Sequence, residues 1–157
     1  GIAQALDLAR PVIAPGEKFA VLLGDNMFEE SLLPYRRMFE NQPDGAMVLL
    51  KKVDDPRRYG VPELDPKTGK ILRIVEKPKH PPSGYCVTGI YFYDSEVFDI
   101  IDGIRPSDRG EMEITEVNNI YARQGRLSHA ELTGWWTDAG TFASLEEASR
   151  RLKGVLP

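Results

Sequence analysis

Phe19 to Phe28, reading Phe-Ala-Val-Leu-Leu-Gly-Asp-Asn-Met-Phe, constrains the fold of this chain more than any other stretch. A half-buried strand alternates apolar and polar residues, whereas this run is apolar without a break for about five residues, which predicts a central strand covered by helices on both faces. It stops at Gly-Asp-Asn. Gly24 lets the backbone turn or come close to a ligand, and Asp25 and Asn26 then stand at the carboxyl end of the strand, where open α/β sheets place their ligand crevices. A carboxylate there is a candidate metal ligand. The same three residues are ordinary turn formers, and this stretch alone does not separate the two readings.

A second unbroken run, Ala46 to Leu50, predicts another central strand. Between the two, Ser31 caps a helix that tolerates Pro34 in its first turn and buries Leu32, Tyr35, Met38 and Phe39. Tyr59 to Leu64 and Lys70 to Val75 predict a hairpin turning at Asp65-Pro66-Lys67-Thr68-Gly69, with an edge or bulge at Pro62, which lacks a backbone donor. Tyr85 to Tyr93, crowded with aromatic and β-branched residues, is a further strand. Helices follow over Ser95 to Ile101 and around Ile114, Val117, Ile120 and Tyr121, the second closed by Gly125. Leu127 to Leu132 reads as a strand and Gly134 to Gly140 as a loop. Thr141 to Lys153 reads as a helix with Phe142, Leu145, Ala148 and Leu152 inward. Gly1 to Ala9 has the spacing of a helix already under way, with Ile2, Leu6 and Ala9 apolar. Strands and helices alternate but include a hairpin, so the fold class is α/β with a mixed sheet, and 157 residues predict one domain.

The net charge of −4 is spread, with Lys and Arg scattered among Asp and Glu and no basic stripe, which argues against a nucleic-acid partner. No stretch is long and apolar enough to span a membrane, and on these residues no secretory signal is expected. The one cysteine, Cys86, lies in an apolar run with no histidine beside it; it reads as a buried structural thiol and suggests a reducing, cytoplasmic setting.

The polar landmarks are Asp25-Asn26, Tyr59-Gly60, Glu76-Lys77, Arg109 and Trp136-Thr137-Asp138. Singly, each has a structural reading: a charged pair before a proline is an ordinary solvated strand end, and Trp-x-Asp-x-Gly an ordinary packed turn. Their order says more. Leu-Gly-Asp-Asn, Arg-Tyr-Gly-Val, Glu-Lys-Pro, Val-Thr-Gly-Ile-Tyr-Phe-Tyr, Arg-Gly-Glu-Met-Glu-Ile-Thr-Glu-Val-Asn and Trp-Thr-Asp-Ala-Gly-Thr occur in series, and in this the chain resembles the sugar-1-phosphate nucleotidyltransferases nearly end to end.

The resemblance implies a Rossmann-like nucleotide-diphospho-sugar transferase fold with a mainly parallel sheet, one domain over 1–157 and its sugar-binding part at about 53–138. It implies Mg²⁺-dependent transfer of a thymidylyl group from dTTP to glucose-1-phosphate, the first step towards dTDP-L-rhamnose and polysaccharide, by a cytoplasmic homotetramer. The catalytic residues would be Asp25, Lys77 and Asp138, with Asp25 and Asp138 on one Mg²⁺ and Lys77 on the sugar phosphate. Glu76 would accept hydrogen bonds from glucose hydroxyls, Asn26 would touch another hydroxyl, and Gly60 and Val87 would offer backbone groups to the sugar. Arg109 is a candidate phosphate contact, and Gly1 falls where the family's helix start meets the thymine. Tyr59, Tyr91 and Trp136 would wall the pocket or belong to the core.

The family's glycine-rich opening loop, which cradles the triphosphate through backbone amides, has no counterpart in these residues, and neither does its base-reading glutamine. The resemblance therefore leads us to expect roughly the last two-thirds of a short-form enzyme, inactive by itself, with the first strand of the sheet lying before Gly1. Pro62, and a hairpin tip one residue longer than usual, depart from the family pattern. Two other readings stay open: an enzyme using UTP, CTP or a different sugar phosphate, and a non-catalytic module of the same fold that senses sugar nucleotides. A metal-dependent glycosyltransferase would want Asp-x-Asp on its metal, which Asp25-Asn26-Met27 does not supply.

Overall fold

The computed structural model describes residues 1 to 153, the side chain of Leu152 excepted. In chain order the elements are α1 (Ile2–Asp7), β1 (Lys18–Leu22), β2 (Asn26–Phe28), α2 (Leu33–Asn41), β3 (Ala46–Lys52), β4 (Gly60–Leu64), β5 (Ile71–Glu76), β6 (Tyr85–Asp94), α3 (Val97–Gly103), α4 (Ile114–Arg123), β7 (Leu127–Glu131), β8 (Trp136–Asp138) and α5 (Phe142–Leu152). The main sheet has the order β1-β6-β3-β7. β1 and β3 both run antiparallel to β6, and β7 runs parallel to β3, so three of the four strands point one way and β6 alone is reversed. This is the mixed α/β sheet expected, but it is not mainly parallel: two of its three pairings, both made by β6, are antiparallel, and only β3 with β7 is parallel.

The unbroken apolar run of β3 is explained by burial on two sides. Ala46, Val48 and Leu50 of β3, with Tyr91 and Tyr93 of β6, pack under α1, α3 and α4. The alternate residues Met47 and Leu49, with Cys86, Ile90 and Phe92, pack under Tyr35 and Phe39 of α2 and against Trp136. Each such side chain removed from water contributes about 1.5–3 kcal/mol, which no strand with one wet face could collect at every position. The Cys86 thiol is fully enclosed, and burial pushes its pKa up to about 12, as suits the structural role expected. Among the described residues no helix is long and apolar enough to cross a membrane.

Four further expectations need correcting. β1, expected as a central strand, is an edge of the described sheet, and Leu22 is half exposed. Ser31 does not cap α2; the cap position is Leu32, and the Ser31 hydroxyl accepts from Leu33 N at 3.3 Å. Met38 faces solvent, whereas Tyr35 and Phe39 carry the packing. In α5 Ala148 is the one inward apolar side chain among the described residues: Phe142 is 94% exposed and Leu145 46%, while the Leu152 side chain lies outside the described residues. Thr141 and Ser144 form a capping box that starts this helix without help from its apolar residues.

β4 and β5 form the expected hairpin as a separate two-stranded sheet, with a register shift between Glu63 and Leu64. Pro62 stands opposite Ile74, whose N–H and C=O are both taken by the Asn119 side chain, at 2.7 and 2.9 Å. Those backbone groups point at α4 rather than at Pro62, so the missing proline N–H removes nothing from the ladder.

All six tyrosines hold their hydroxyls above the ordinary pKa, five through burial first and Tyr85 through the neighbouring Glu131 carboxylate. A raised folded-state value means that the unfolded chain ionises first, so stability is intact below a pH of about 10 and falls as pH rises beyond it. Melting temperature measured between pH 8 and 11 is expected to be level and then to drop; a curve that stays level throughout would show these phenols ionising freely in the folded protein.

Candidate active site

Past β1, Asn26 N returns to Leu23 O at 3.0 Å, and the chain enters β2, which pairs antiparallel with β8. Sequence reasoning missed this pair, assigning β8 to a loop. The register sets Asn26 opposite Asp138, Met27 opposite Thr137 and Phe28 opposite Trp136, and Ala139 N donates to Asp25 O at 2.7 Å. Asp25 and Asp138, far apart in sequence, are thereby brought to one place. Gly140 shows how tightly: a Cβ added there would lie 2.8 Å from Asp138 Oδ1 and 3.7 Å from Asp25 Oδ2. Both carboxylates therefore face the Gly140 position, and a side chain there would press first on Asp138 Oδ1. Among the described residues no group of three or more His, Cys, Asp or Glu side chains makes a closed metal cage.

The opposite wall comes from the hairpin. β5 ends at Glu76, whose Oε2 accepts from the Thr115 hydroxyl of α4 at 2.5 Å. Lys77 follows with φ +43°, the one non-glycine residue in left-handed backbone among those described, and its N donates to Tyr59 O at 3.0 Å. A proline comes next, which further disfavours any helical conformation at Lys77. Such strain costs about 1–3 kcal/mol and persists where its surroundings impose it, typically at functional sites. Replacing Lys77 with Gly is therefore expected to raise stability by about 1 kcal/mol in a thermal melt while removing the ammonium group. A Lys77→Gly protein no more stable than Lys77→Ala would mean that the conformation is not strained.

Between these walls lies a cleft of about 280 Å³. Its lining includes Asp25, Asn26, Tyr59, Gly60, Glu76, Lys77, Val87, Tyr91, Trp136 and Asp138, ten of the twelve residues singled out from sequence. Tyr59 meets Trp136 edge-on at 5.7 Å, and burial followed by the Asp138 charge raises its pKa. Tyr91 is both core and wall: it is 4% exposed, and the Glu76 and Asp25 carboxylates add to burial in keeping it protonated. A Cβ on Gly60 would come within 3.1 Å of Ile74 Cγ2 and 3.4 Å of Glu76 Oε2.

The other two do not line the cleft. Gly1 abuts the Met112 backbone, where a Cβ would sit 2.5 Å from its carbonyl oxygen, and the adjacent Ile2 reaches the cleft instead. Arg109 stands at the rim, 3.5 Å from Glu111 and from Glu113 and 4.0 Å from Glu76. Sequence reasoning passed over Thr115, Arg58, Gly89, Glu113 and Asn118, which also line it. Thr115 was visible in the Glu-Ile-Thr-Glu segment, but nothing in the sequence says that its hydroxyl faces Glu76.

Residues 1–154 match the family model described as nucleotidyl transferase. The chain belongs to the nucleotidyl transferase family. Within it, the chain is 41% identical over 159 aligned residues to a glucose-1-phosphate thymidylyltransferase of Xanthomonas campestris pv. campestris strain B100, covering 99% of this chain and 53% of that protein. Against the enzyme of the same name from Mycolicibacterium smegmatis it is 44% identical, covering 95% of this chain and 52% of the relative. A Bacillus anthracis structure provisionally named glucose-1-phosphate thymidylyltransferase, solved with sucrose, superposes with a TM-score of 0.92 at 48% identity, over 100% of this chain and 63% of that one. A UDP-glucose pyrophosphorylase solved with UDP-glucose superposes with a TM-score of 0.89 at 23% identity, a likeness of fold. The chain spans about half the length of the curated relatives it matches.

Proposed function

We propose that the protein transfers a thymidylyl group from dTTP to glucose-1-phosphate, releasing pyrophosphate and forming dTDP-glucose. The observation that carries this reading is the meeting of Asp25 and Asp138 across a cleft from Glu76 and the strained Lys77. The names of the 41–48% identical relatives support the choice of nucleotide and sugar. That magnesium is the metal, that the product feeds rhamnose synthesis and that the protein is a homotetramer rest on the family resemblance.

Two phosphate-bearing substrates would meet two carboxylates here, and like charges at such distances repel unless a cation lies between them. Two carboxylates with no further protein ligand suit magnesium, which keeps waters and substrate phosphates in its remaining positions. Bound there, the ion would neutralise charge developing on the transferring phosphorus. Lys77 holds the sugar phosphate as a point charge from the opposite wall. Glu76, fixed by Thr115, accepts from sugar hydroxyls, and Tyr59 with Trp136 closes one side against water. The attacking phosphate oxygen is already ionised at neutral pH, so no general base is required, and the cleft lining contains no histidine. The chain's contribution is position and charge.

A coupled pyrophosphate assay with each common nucleoside triphosphate tests the proposal on the full-length protein. dTTP with glucose-1-phosphate is expected to lead, and UTP outrunning dTTP by a wide margin would overturn the thymidylyl assignment. Lys77→Ala is expected to lower kcat/KM for glucose-1-phosphate about ten- to hundredfold, as loss of one charge-assisted hydrogen bond does, chiefly through KM. An unchanged KM would remove Lys77 from the sugar phosphate.

A further inference from the structure

We infer that Asn26 is a positioning residue: its side-chain amide holds the Asp25 carboxylate turned towards Asp138, and Gly89 lacks a side chain because that amide fills the space. The inference deepens the proposed function and rests on the reading of Asp25 and Asp138 as the metal-holding pair.

Asn26 Oδ1 accepts two hydrogen bonds, from Gly89 N at 2.8 Å and from the Trp136 indole Nε1 at 2.9 Å. Both partners are donors only, so the amide end facing them must be the oxygen; turned over, it would set its NH₂ against two N–H groups. The NH₂ end is thereby directed at Asp25, whose Oδ1 it reaches at 2.9 Å. Among the described residues this is the one side-chain hydrogen bond to the Asp25 carboxylate, which is otherwise exposed. With Oδ1 held, it is Oδ2 that faces the Gly140 position where Asp138 Oδ1 also arrives.

Gly89 supplies an independent observation. A Cβ there would collide with Asn26 Nδ2 and fall 2.8 Å from Cγ and 2.9 Å from Oδ1, closer than real Cβ contacts come, so any side chain at Gly89 must push the amide away. Asn26 thus joins three elements: β6 through Gly89, β8 through Trp136, and the turn that carries Asp25. With both lone pairs of its oxygen engaged, it has only one free amide hydrogen to offer a sugar hydroxyl. Its principal work is to orient the carboxylate.

The test is direct binding of Mn²⁺, followed by electron paramagnetic resonance on the full-length protein without substrates, together with the KM for glucose-1-phosphate. Asn26→Ala and Gly89→Ala are each expected to weaken Mn²⁺ binding about ten- to hundredfold, the usual loss when a residue supporting a metal ligand is changed, with the sugar-phosphate KM little altered. Trp136→Phe, which deletes one of the two donors and keeps an aromatic ring, is expected to shift binding the same way by less, and it carries the test should either of the others not fold. Unchanged Mn²⁺ binding in the folded variants, or a raised sugar-phosphate KM in its place, overturns the positioning role and returns Asn26 to a sugar contact. Asp138→Asn serves as the reference: if it binds Mn²⁺ like the parent, the metal pair itself is wrong and the inference goes with it.

Discussion

Asp25→Asn and Asp138→Asn are each expected to lower turnover on the order of a hundredfold or more at saturating Mg²⁺, since on the proposed reading each would remove a charge that fixes the cation beside the developing transition-state charge. The replacement is isosteric, which makes the comparison clean. In Asp138→Asn the new amide oxygen could still accept the hydrogen bond that Gly140 N now gives Asp138 Oδ1 at 2.8 Å, and the pairing of β2 with β8 runs through backbone. Melting is therefore expected to change little while kcat collapses. If the two carboxylates hold one ion, as proposed, the double variant is expected to lose little more than either single one, the non-additivity of groups that work as a unit. Near-parental turnover in Asp138→Asn would make Asp138 a structural turn residue and leave the cleft without its metal pair.

What the sequence made legible, and what it hid, follows from the range of the interactions. β3 could be read because burial on both faces leaves an unbroken apolar run, and β6 because aromatic and β-branched residues crowd it, both local signals. The Val97, Phe98 and Ile101 face of α3 could be read because helical spacing shows it. β2 and β8 could not: three-residue strands carry no periodicity, and their pairing joins residues more than a hundred positions apart. The candidate site was legible as residue types in an order. Its working geometry was not, because Thr115 on Glu76, Asn26 on Asp25 and the closeness of Gly140 to both carboxylates arise only once distant segments meet. Phe142 and Leu145 show the opposite error, in which helical spacing promised a buried face that α5 does not have.

The largest loss of stability from a single truncation is expected at Asp94, far from the chemistry. Asp94 ends β6 almost fully buried, and its carboxylate accepts from Gly45 N, from the Tyr121 hydroxyl at 2.8 Å and from Arg126 Nη2 at 3.2 Å. Gly45 has φ +96° and lies against the Arg126 backbone, where a Cβ would collide with Arg126 O. Arg126 in turn ties Asp44 and Glu96, each at 2.7 Å, and lies over the Tyr121 ring. One carboxylate thus joins the ends of β3 and β6 to α4 and the start of β7. Asp94→Ala would leave an enclosed hydroxyl and a backbone N–H without their acceptor and the quarter-exposed Arg126 with Asp44 and Glu96 alone, and at about 1–3 kcal/mol for each buried group left unsatisfied the loss is about 3–5 kcal/mol. In a domain of this size that lowers the melting temperature on the order of 10 °C. Asp94→Asn, which keeps an acceptor for Gly45 or Tyr121 but loses the charge facing Arg126, is expected to fall between. Arg126 distinguishes the pair from mere packing, because in an Arg126→Met background the Asp94→Asn step should cost markedly less. If it costs the same in both backgrounds, the charge pair contributes nothing, and β6 is held at this end by its hydrogen bonds to Gly45 and Tyr121.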